Sequence, residues 1–160
     1  MELVQGCAVS AAGVAAVADV WSRRIPNWLT FGCLALGILL NTWLHGLEGA
    51  LASLAGAALG IGVLLPFYVM GVLGAGDVKL MGALGAVLGP QALVSVAIYG
   101  AIAGGVMSIV ILAINGRLLE TLCGLVVRRQ LPARNGATAP YAVAIASGVV
   151  LSVVLPGVIR

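Results

Sequence analysis

The feature that most constrains this chain is a series of six long apolar runs separated by short polar breaks. Most approach the roughly 20 apolar residues that a helix needs to cross a bilayer. Charged residues make up only 8% of the 160-residue chain, against about a quarter in soluble domains. The sequence therefore predicts one integral-membrane domain over residues 1–160. The six runs cover 3–19, 28–44, 49–72, 78–89, 91–114 and 139–157.

These runs are expected to be helices, because a segment in lipid must satisfy its own backbone hydrogen bonds. They do not alternate as the strands of an outer-membrane barrel do. The first run lacks the basic residues that begin a signal peptide, so it is expected to remain as the first span. We predict an all-α, polytopic membrane protein with six transmembrane helices. Small-xxx-small spacings at Gly56 to Gly60, Gly85 to Gly89 and Gly100 to Gly104 predict close helix packing within the molecule.

Basic residues predict the orientation of the spans. Seven of the eight Lys and Arg residues fall in connections that six spans would place on one face. Such positive connections face the cytoplasm, so both termini are expected outside. The seven residues are Arg23, Arg24, Lys79, Arg117, Arg128, Arg129 and Arg134.

The longest connection lies between spans five and six. Its apolar residues recur at helical spacing, which predicts an amphipathic helix on the cytoplasmic membrane surface. The segment 116–138 is interpreted either as a lid for a site or as a connector that rests on lipid. The recurring residues are Leu118, Leu119, Leu122, Leu125 and Val126.

Two of the five acidic residues fall at the predicted cytoplasmic ends of spans. Asp19 ends the first span and Asp77 begins the fourth. Ionisable residues near membrane depth are costly and are candidates for function. The fourth span has 13 residues from Asp77 to Gly89. At helical rise it is about 20 Å long, shorter than the ~30 Å hydrocarbon core. We therefore expect a water-filled recess at Asp77.

Two glycines frame the second acid in the stretch VLGAGDVKL. Gly74 and Gly76 are expected to adopt backbone angles closed to other residues, and Asp77 to start a new helix. Alone, either acid is explained equally well by a functional role and by a structural one, as an interfacial cap or an ion-pair partner. Two converging carboxyl groups can instead activate one water, because repulsion lets an acid and a base coexist. Asp19 and Asp77 together predict an aspartic peptidase site.

Two motifs connect the chain with a known family. One is GAGDVKL from Gly74 to Leu80, and the other is DVWSRRIPN from Asp19 to Asn27. With a weaker match at Pro140-Tyr141, the chain resembles the type IV prepilin peptidases, membrane aspartic peptidases with a G-x-G-D motif. It looks most like the short members that serve tight-adherence pilus systems.

The resemblance implies that Asp19 and Asp77 are the catalytic pair. It implies prepilin and pseudopilin substrates, whose basic leader is cut from a hydrophobic helix at the cytoplasmic face of the bacterial inner membrane. No cofactor or metal is implied, no nucleic-acid partner is expected, and the oligomeric state is not specified. The residues expected to shape the site are Gly74, Gly76, Lys79, Pro26, Asn27, Pro140 and Tyr141.

Individual roles follow in part from position. Asp77 lies at a helix N-terminus, which favours its charged form, and is expected to be the base. Asp19 lies at a helix C-terminus, which disfavours its charged form, and is expected to be the acid. Arg23 and Arg24 act in the opposite sense, because their positive charges favour an ionised Asp19. Lys79 is interpreted as a partner of lipid phosphate in preference to one of Asp77. Pro26 and Asn27 predict a turn that positions Asp19.

The chain departs from the long members of this family. They carry an extra cytoplasmic region with paired cysteines and also methylate the new N-terminus, whereas this chain has no C-x-x-C pair. N-methyltransferase activity and S-adenosylmethionine are therefore not expected. Two other functions remain open at this point, a proton-coupled small-solute transporter and a non-enzymatic subunit of a pilus or secretion system.

Overall fold

The computed structural model describes residues 2–22, 25–116 and 141–155, and these ranges contain helices and no strand. Within these ranges there are four helices, and three of them are long and apolar enough to cross a membrane. The expectation of an all-α membrane protein is thereby confirmed. The helices are α1 (Glu2–Ser22), α2 (Asn27–Val69), α3 (Ala75–Ile114) and α4 (Tyr141–Val154).

The second helix folds back on itself at Gly46, where the backbone is non-helical with φ 61° and ψ −141°. Glycine adopts this positive φ without the steric cost that other residues meet. Asn41 Nδ2 lies 3.0 Å from Ser53 Oγ, although twelve residues of straight helix would separate them by about 18 Å. The two parts of α2 therefore form a helical hairpin.

The third helix bends in the same way at Gly89, which has φ 77° and ψ 171° and precedes Pro90. Across this bend, a Cβ placed on Gly85 would lie 2.9 Å from Leu93 Cδ2. The break that the sequence predicts at Gly89–Pro90 is confirmed. It separates a short first part of α3, which begins beside Asp77, from a longer second part.

The short first part of α3 is the centre of the molecule. Every residue from Leu80 to Val87 is buried, and Leu80 and Leu84 are completely so. A helix that is apolar on all sides is expected to be surrounded by others. Asp77 therefore stands at the N-terminal end of the most buried helical segment in the described chain.

Close backbone contacts explain how so many helices surround one short segment. A Cβ on Gly56 would overlap the carbonyl group of Gly85, and a Cβ on Gly37 would lie 2.7 Å from the amide nitrogen of Val87. At the other side, a Cβ on Gly148 would lie 2.7 Å from the amide nitrogen of Gly100. The predicted intramolecular role of the small residues is confirmed at these positions.

The far end of the central segment is held by a polar side chain from α2. Asn41 Nδ2 lies 3.0 Å from the carbonyl oxygens of Ala86 and Val87 and bonds the completely buried Ser53. The bend at Gly89 leaves such carbonyls without the helical partners that a continuous helix would give them. Asn41 therefore supplies the donor that the end of this segment needs.

Some expectations fall on residues outside the described ranges. These are the amphipathic helix and possible lid at 116–138, of which only Gly116 is described, and Pro140. The same holds for six of the seven basic residues that predict the orientation, Arg23, Arg24, Arg117, Arg128, Arg129 and Arg134.

Candidate active site

The structure brings the two predicted acids together. Asp19 lies in the last turn of α1 and Asp77 in the first turn of α3, and both side chains are half-buried. Although 58 residues separate them in sequence, their carboxyl groups are close enough to interact electrostatically. The two acids therefore lie near each other, one at the C-terminal end of α1 and the other at the N-terminal end of α3.

Asp77 is held by the turn that precedes it. The helix begins at Ala75 with Gly74 as its N-cap, and Asp77 Oδ2 accepts a 3.2 Å hydrogen bond from the Gly74 amide. The expectation that Asp77 itself starts the helix is wrong by two residues. At the third helical position its side chain reaches back to the cap, which is the carboxylate half of a capping box.

The expected role of the two motif glycines is also wrong in part. Gly74 has φ −82° and ψ 152°, an extended conformation open to any residue, and Gly76 lies inside the helix. The positive φ belongs to Gly71, at 73°, which makes the turn between α2 and α3. Sequence reasoning missed Gly71 because the G-x-G-D pattern lies just beyond it. Gly76 is small for a different reason. A Cβ added at this position would lie 3.3 Å from Ile25 Cβ, which is tighter than most such contacts.

Asp19 is held by the start of α4. Its Oδ2 accepts a 3.3 Å hydrogen bond from the Ala142 amide, one of the first amides of that helix, which have no helical acceptor. Asp19 therefore lies at the C-terminal end of α1 and also at the N-terminal end of α4, so the two helix dipoles act on its charge in opposite senses. The neighbouring Tyr141 packs on Gly104.

Lys79 joins the two sequence motifs. Its Nζ donates a 3.1 Å hydrogen bond to Asn27 Oδ1 and lies 5.7 Å from the centre of the Phe31 ring, within the range of a cation–π contact. Neither sequence interpretation of Lys79 identified this partner. Pro26 is the N-cap of α2, so the I-P-N segment begins α2 beside the first turn of α3.

The described residues offer no group of three or more His, Cys, Asp or Glu side chains that could hold a metal ion. Of the nine residues predicted for the site, eight are described. They come from the four described helices, from the N-cap of α2 and from the turn between α2 and α3. The chemistry that this arrangement supports is proton transfer by two carboxyl groups.

Comparison with known proteins gives matches to one family. The type IV leader peptidase family matches residues 7–109, a range that contains Asp19, Asn27 and Asp77. The prepilin leader peptidase/N-methyltransferase of Legionella pneumophila is 34% identical over 109 residues, which cover 64% of this chain and 38% of the relative. The chain therefore spans well under half of that relative's length. No solved structure gives a significant match.

Proposed function

Because the chain belongs to the type IV leader peptidase family, we propose that it is an intramembrane aspartic endopeptidase. Its substrates are prepilins and pseudopilins, from which it removes a basic leader. The observation that carries this proposal is the meeting of Asp19 and Asp77, each with a carboxyl oxygen held by a backbone amide. A pair of isolated structural acids would have no reason to converge from α1 and α3.

The reaction follows from two carboxyl groups that share a site. One, ionised, takes a proton from water as the water oxygen attacks the scissile carbonyl carbon. The other, protonated, donates to the carbonyl oxygen, so the tetrahedral intermediate is neutral. The C–N bond then breaks as the nitrogen receives a proton, giving a leader with a new carboxyl terminus and a pilin with a new amine. Repulsion between Asp19 and Asp77 favours the state with one proton on the pair.

We place the site at the cytoplasmic face of the bacterial inner membrane. The hairpins at Gly46 and Gly89 support six crossings, because each divides a helix of 40 or more residues into two parts. The part of α3 before Gly89 is shorter than a full span, but it is buried among the other helices. With six crossings, the basic connections share the face that carries the acids. Substrate leaders, which are basic and cytoplasmic, would meet the acids there.

The same geometry weighs against a proton-coupled carrier. A carrier places its binding site near the bilayer midplane between two halves, whereas Asp19 and Asp77 lie at helix ends. The methyltransferase part of the relative's name is not extended to this chain. Only four residues separate α1 from α2, which leaves no room there for the extra cytoplasmic region of long family members.

The test is leader removal in reconstituted vesicles. A prepilin with a basic leader is incubated with the wild-type protein, Asp19→Asn, Asp77→Asn and Glu48→Gln, and the products are resolved by mass. Either amide should slow cleavage by about 10²–10⁴-fold, the usual contribution of a positioned acid or base. Glu48, an exposed acid near the Gly46 bend, should be dispensable. Cleavage at the wild-type rate by both amide variants would refute the aspartic mechanism.

A further inference from the structure

The first turn of α4 contributes to the candidate site, although it lies outside the range that matches the known family. That match ends at residue 109, whereas α4 covers Tyr141–Val154. The amide of Ala142, a completely buried residue, donates the hydrogen bond to Asp19. What places this amide beside the acid is therefore the way in which α4 packs against its neighbours.

Asp19 lies on the packed face of α1. Ala12 and Ala15 on this face are almost completely buried, with exposed fractions of 1% and 0%. Asp19 follows Ala15 by four residues and therefore lies on the same side of the helix. Among the described helices, α1 packs more against α4 than against α2 or α3. The carboxyl group thus faces the helix from which it accepts its hydrogen bond.

The second part of α3 supports the first turn of α4. A Cβ placed on Gly104 would lie 3.2 Å from both Tyr141 Cε2 and Ala144 Cβ. Such a contact is tighter than nearly all that real side chains make, so the neighbouring atoms would have to move by a few tenths of an ångström. Because Tyr141 directly precedes Ala142, this movement would reach the amide that bonds Asp19.

We propose that Gly104 is a positioning residue for Asp19. The absence of a side chain at Gly104 lets the first turn of α4 lie close enough to α3 to hold the Ala142 amide at the Asp19 carboxyl group. The proposal rests on the proposed peptidase function and adds to it a residue that lies outside both sequence motifs. Asp19 Oδ2 accepts the bond from the amide, which leaves Oδ1 for proton transfer in the reaction.

The length of this bond makes Asp19 sensitive to a small displacement of α4. The Ala142 nitrogen lies 3.3 Å from Asp19 Oδ2, just beyond the range of about 2.7–3.2 Å that most such bonds occupy. A further few tenths of an ångström would break it, because no hydrogen bond remains at about 3.6 Å. The bond of Asp77 is to Gly74, in the turn before its own helix. A methyl group at Gly104 should therefore release one acid and leave the other in place.

The first test compares two adjacent glycines in the vesicle assay for leader removal. Gly104→Ala should lower kcat about three- to tenfold, the effect of losing one hydrogen bond, with KM unchanged. Gly105→Ala is the matched control, since a Cβ there meets nothing within 4 Å, and it should cleave at the wild-type rate. Both are assayed well below their unfolding midpoints. Equal kcat for the two variants would overturn the proposal, and so would an effect of Gly104→Ala on KM alone.

A second variant removes the amide hydrogen alone. In cell-free synthesis, a suppressor tRNA inserts lactic acid in place of Ala142, which turns the amide into an ester and keeps the methyl side chain. The kcat should fall about tenfold or more, because the ester oxygen also repels the carboxylate. The same replacement at Ala146 removes an amide that bonds within α4, so it should lower stability and leave kcat unchanged.

The two changes should not add. Gly104→Ala in the protein with the ester at position 142 should lower kcat no further, because both changes remove the same hydrogen bond. Loss of packing alone would lower kcat by the same factor with and without the ester. Multiplicative losses would therefore show that Gly104 does not act through the Ala142 amide.

Hydrogen exchange tests the same contact without catalysis. Exchange of the Ala142 amide, followed by NMR in detergent micelles, should be faster in Asp19→Ala and in Gly104→Ala than in the wild type, and unchanged in Gly105→Ala. Unchanged exchange in Gly104→Ala would overturn the role of Gly104 even in an active peptidase. Failure of the wild-type protein to cleave would instead count against the peptidase function, and exchange would still decide whether Gly104 holds the amide at Asp19.

Discussion

Lys79 Nζ and Asn27 Oδ1 form a 3.1 Å hydrogen bond across 52 residues of sequence. Lys79 follows Asp77 by two residues, and Asn27 belongs to the segment that follows Asp19. The bond therefore fastens the start of α2 to the start of α3, next to the contact of Gly76 with Ile25. In the proposed reaction we assign this bond the role of positioning the two acids relative to each other.

We expect Asn27 and Lys79 to affect catalysis together, through the one hydrogen bond between them. Asn27→Ala and Lys79→Ala should each lower kcat about three- to tenfold, which matches the roughly 0.5–1.5 kcal/mol of a typical hydrogen bond, because solvent at this exposed site weakens the effect of the charge. The double variant should be no worse than the worse single one, because both remove the same interaction. Asn115→Ala, at an exposed helix end, is the control. Multiplicative losses in the double variant would show that the two residues act separately.

Glycine contacts in the core should be sensitive to a single methyl group. Gly85→Ala should lower the free energy of unfolding by about 1–3 kcal/mol or more, because the methyl would overlap the backbone of Gly56. Gly62→Ala is the matched control, since a Cβ there meets nothing within 4 Å. The measurement is thermal unfolding in detergent. Equal midpoints for the two variants would contradict the packing described.

Removal of the Asn41 side chain should weaken the far end of the central segment. Asn41→Ala leaves the Ala86 and Val87 carbonyls without their donor and should cost about 1–3 kcal/mol of stability. The neighbouring Thr42→Ala removes only a local bond to Ile38 and should change stability by less than that. Hydrogen exchange at the amides around Gly89 should rise in the first variant alone, and an unchanged exchange pattern would argue against the cap.

The turn before the G-x-G-D motif should distinguish two glycines that look alike in sequence. Gly71→Ala should cost about 1–2 kcal/mol, because alanine is strained at φ 73°. Gly74→Ala should be close to neutral for stability, since its backbone is extended and the added Cβ would lie 3.4 Å from Asp77 Oδ2. Thermal unfolding of the two variants gives the comparison. A larger loss for Gly74→Ala would contradict the backbone described here.

The apolar runs made the helical class and the bend at Gly89 predictable, because lipid leaves a chain few alternatives. The acids were predictable for the same reason, since each is costly where it stands. Contacts between residues far apart in sequence were not predictable. The bond of Asp19 to Ala142 spans 123 residues, and no local pattern specifies it. Gly71 was missed as the turn residue because Gly71, Gly74 and Gly76 lie close together, and each of them could adopt the positive φ that the turn needs. Only the path of the chain through the fold shows which one does.

The buried first part of α3 is fastened at both ends, by Asn41 near Val87 and by Gly74 and Lys79 near Asp77. A slip of one residue along such a rod turns every side chain by about 100°, which would swing the Asp77 carboxyl group away from Asp19. The alignment of the acids is therefore determined partly at the opposite end of the molecule. We therefore expect substitutions there to lower the proposed peptidase activity while both carboxyl groups remain chemically intact.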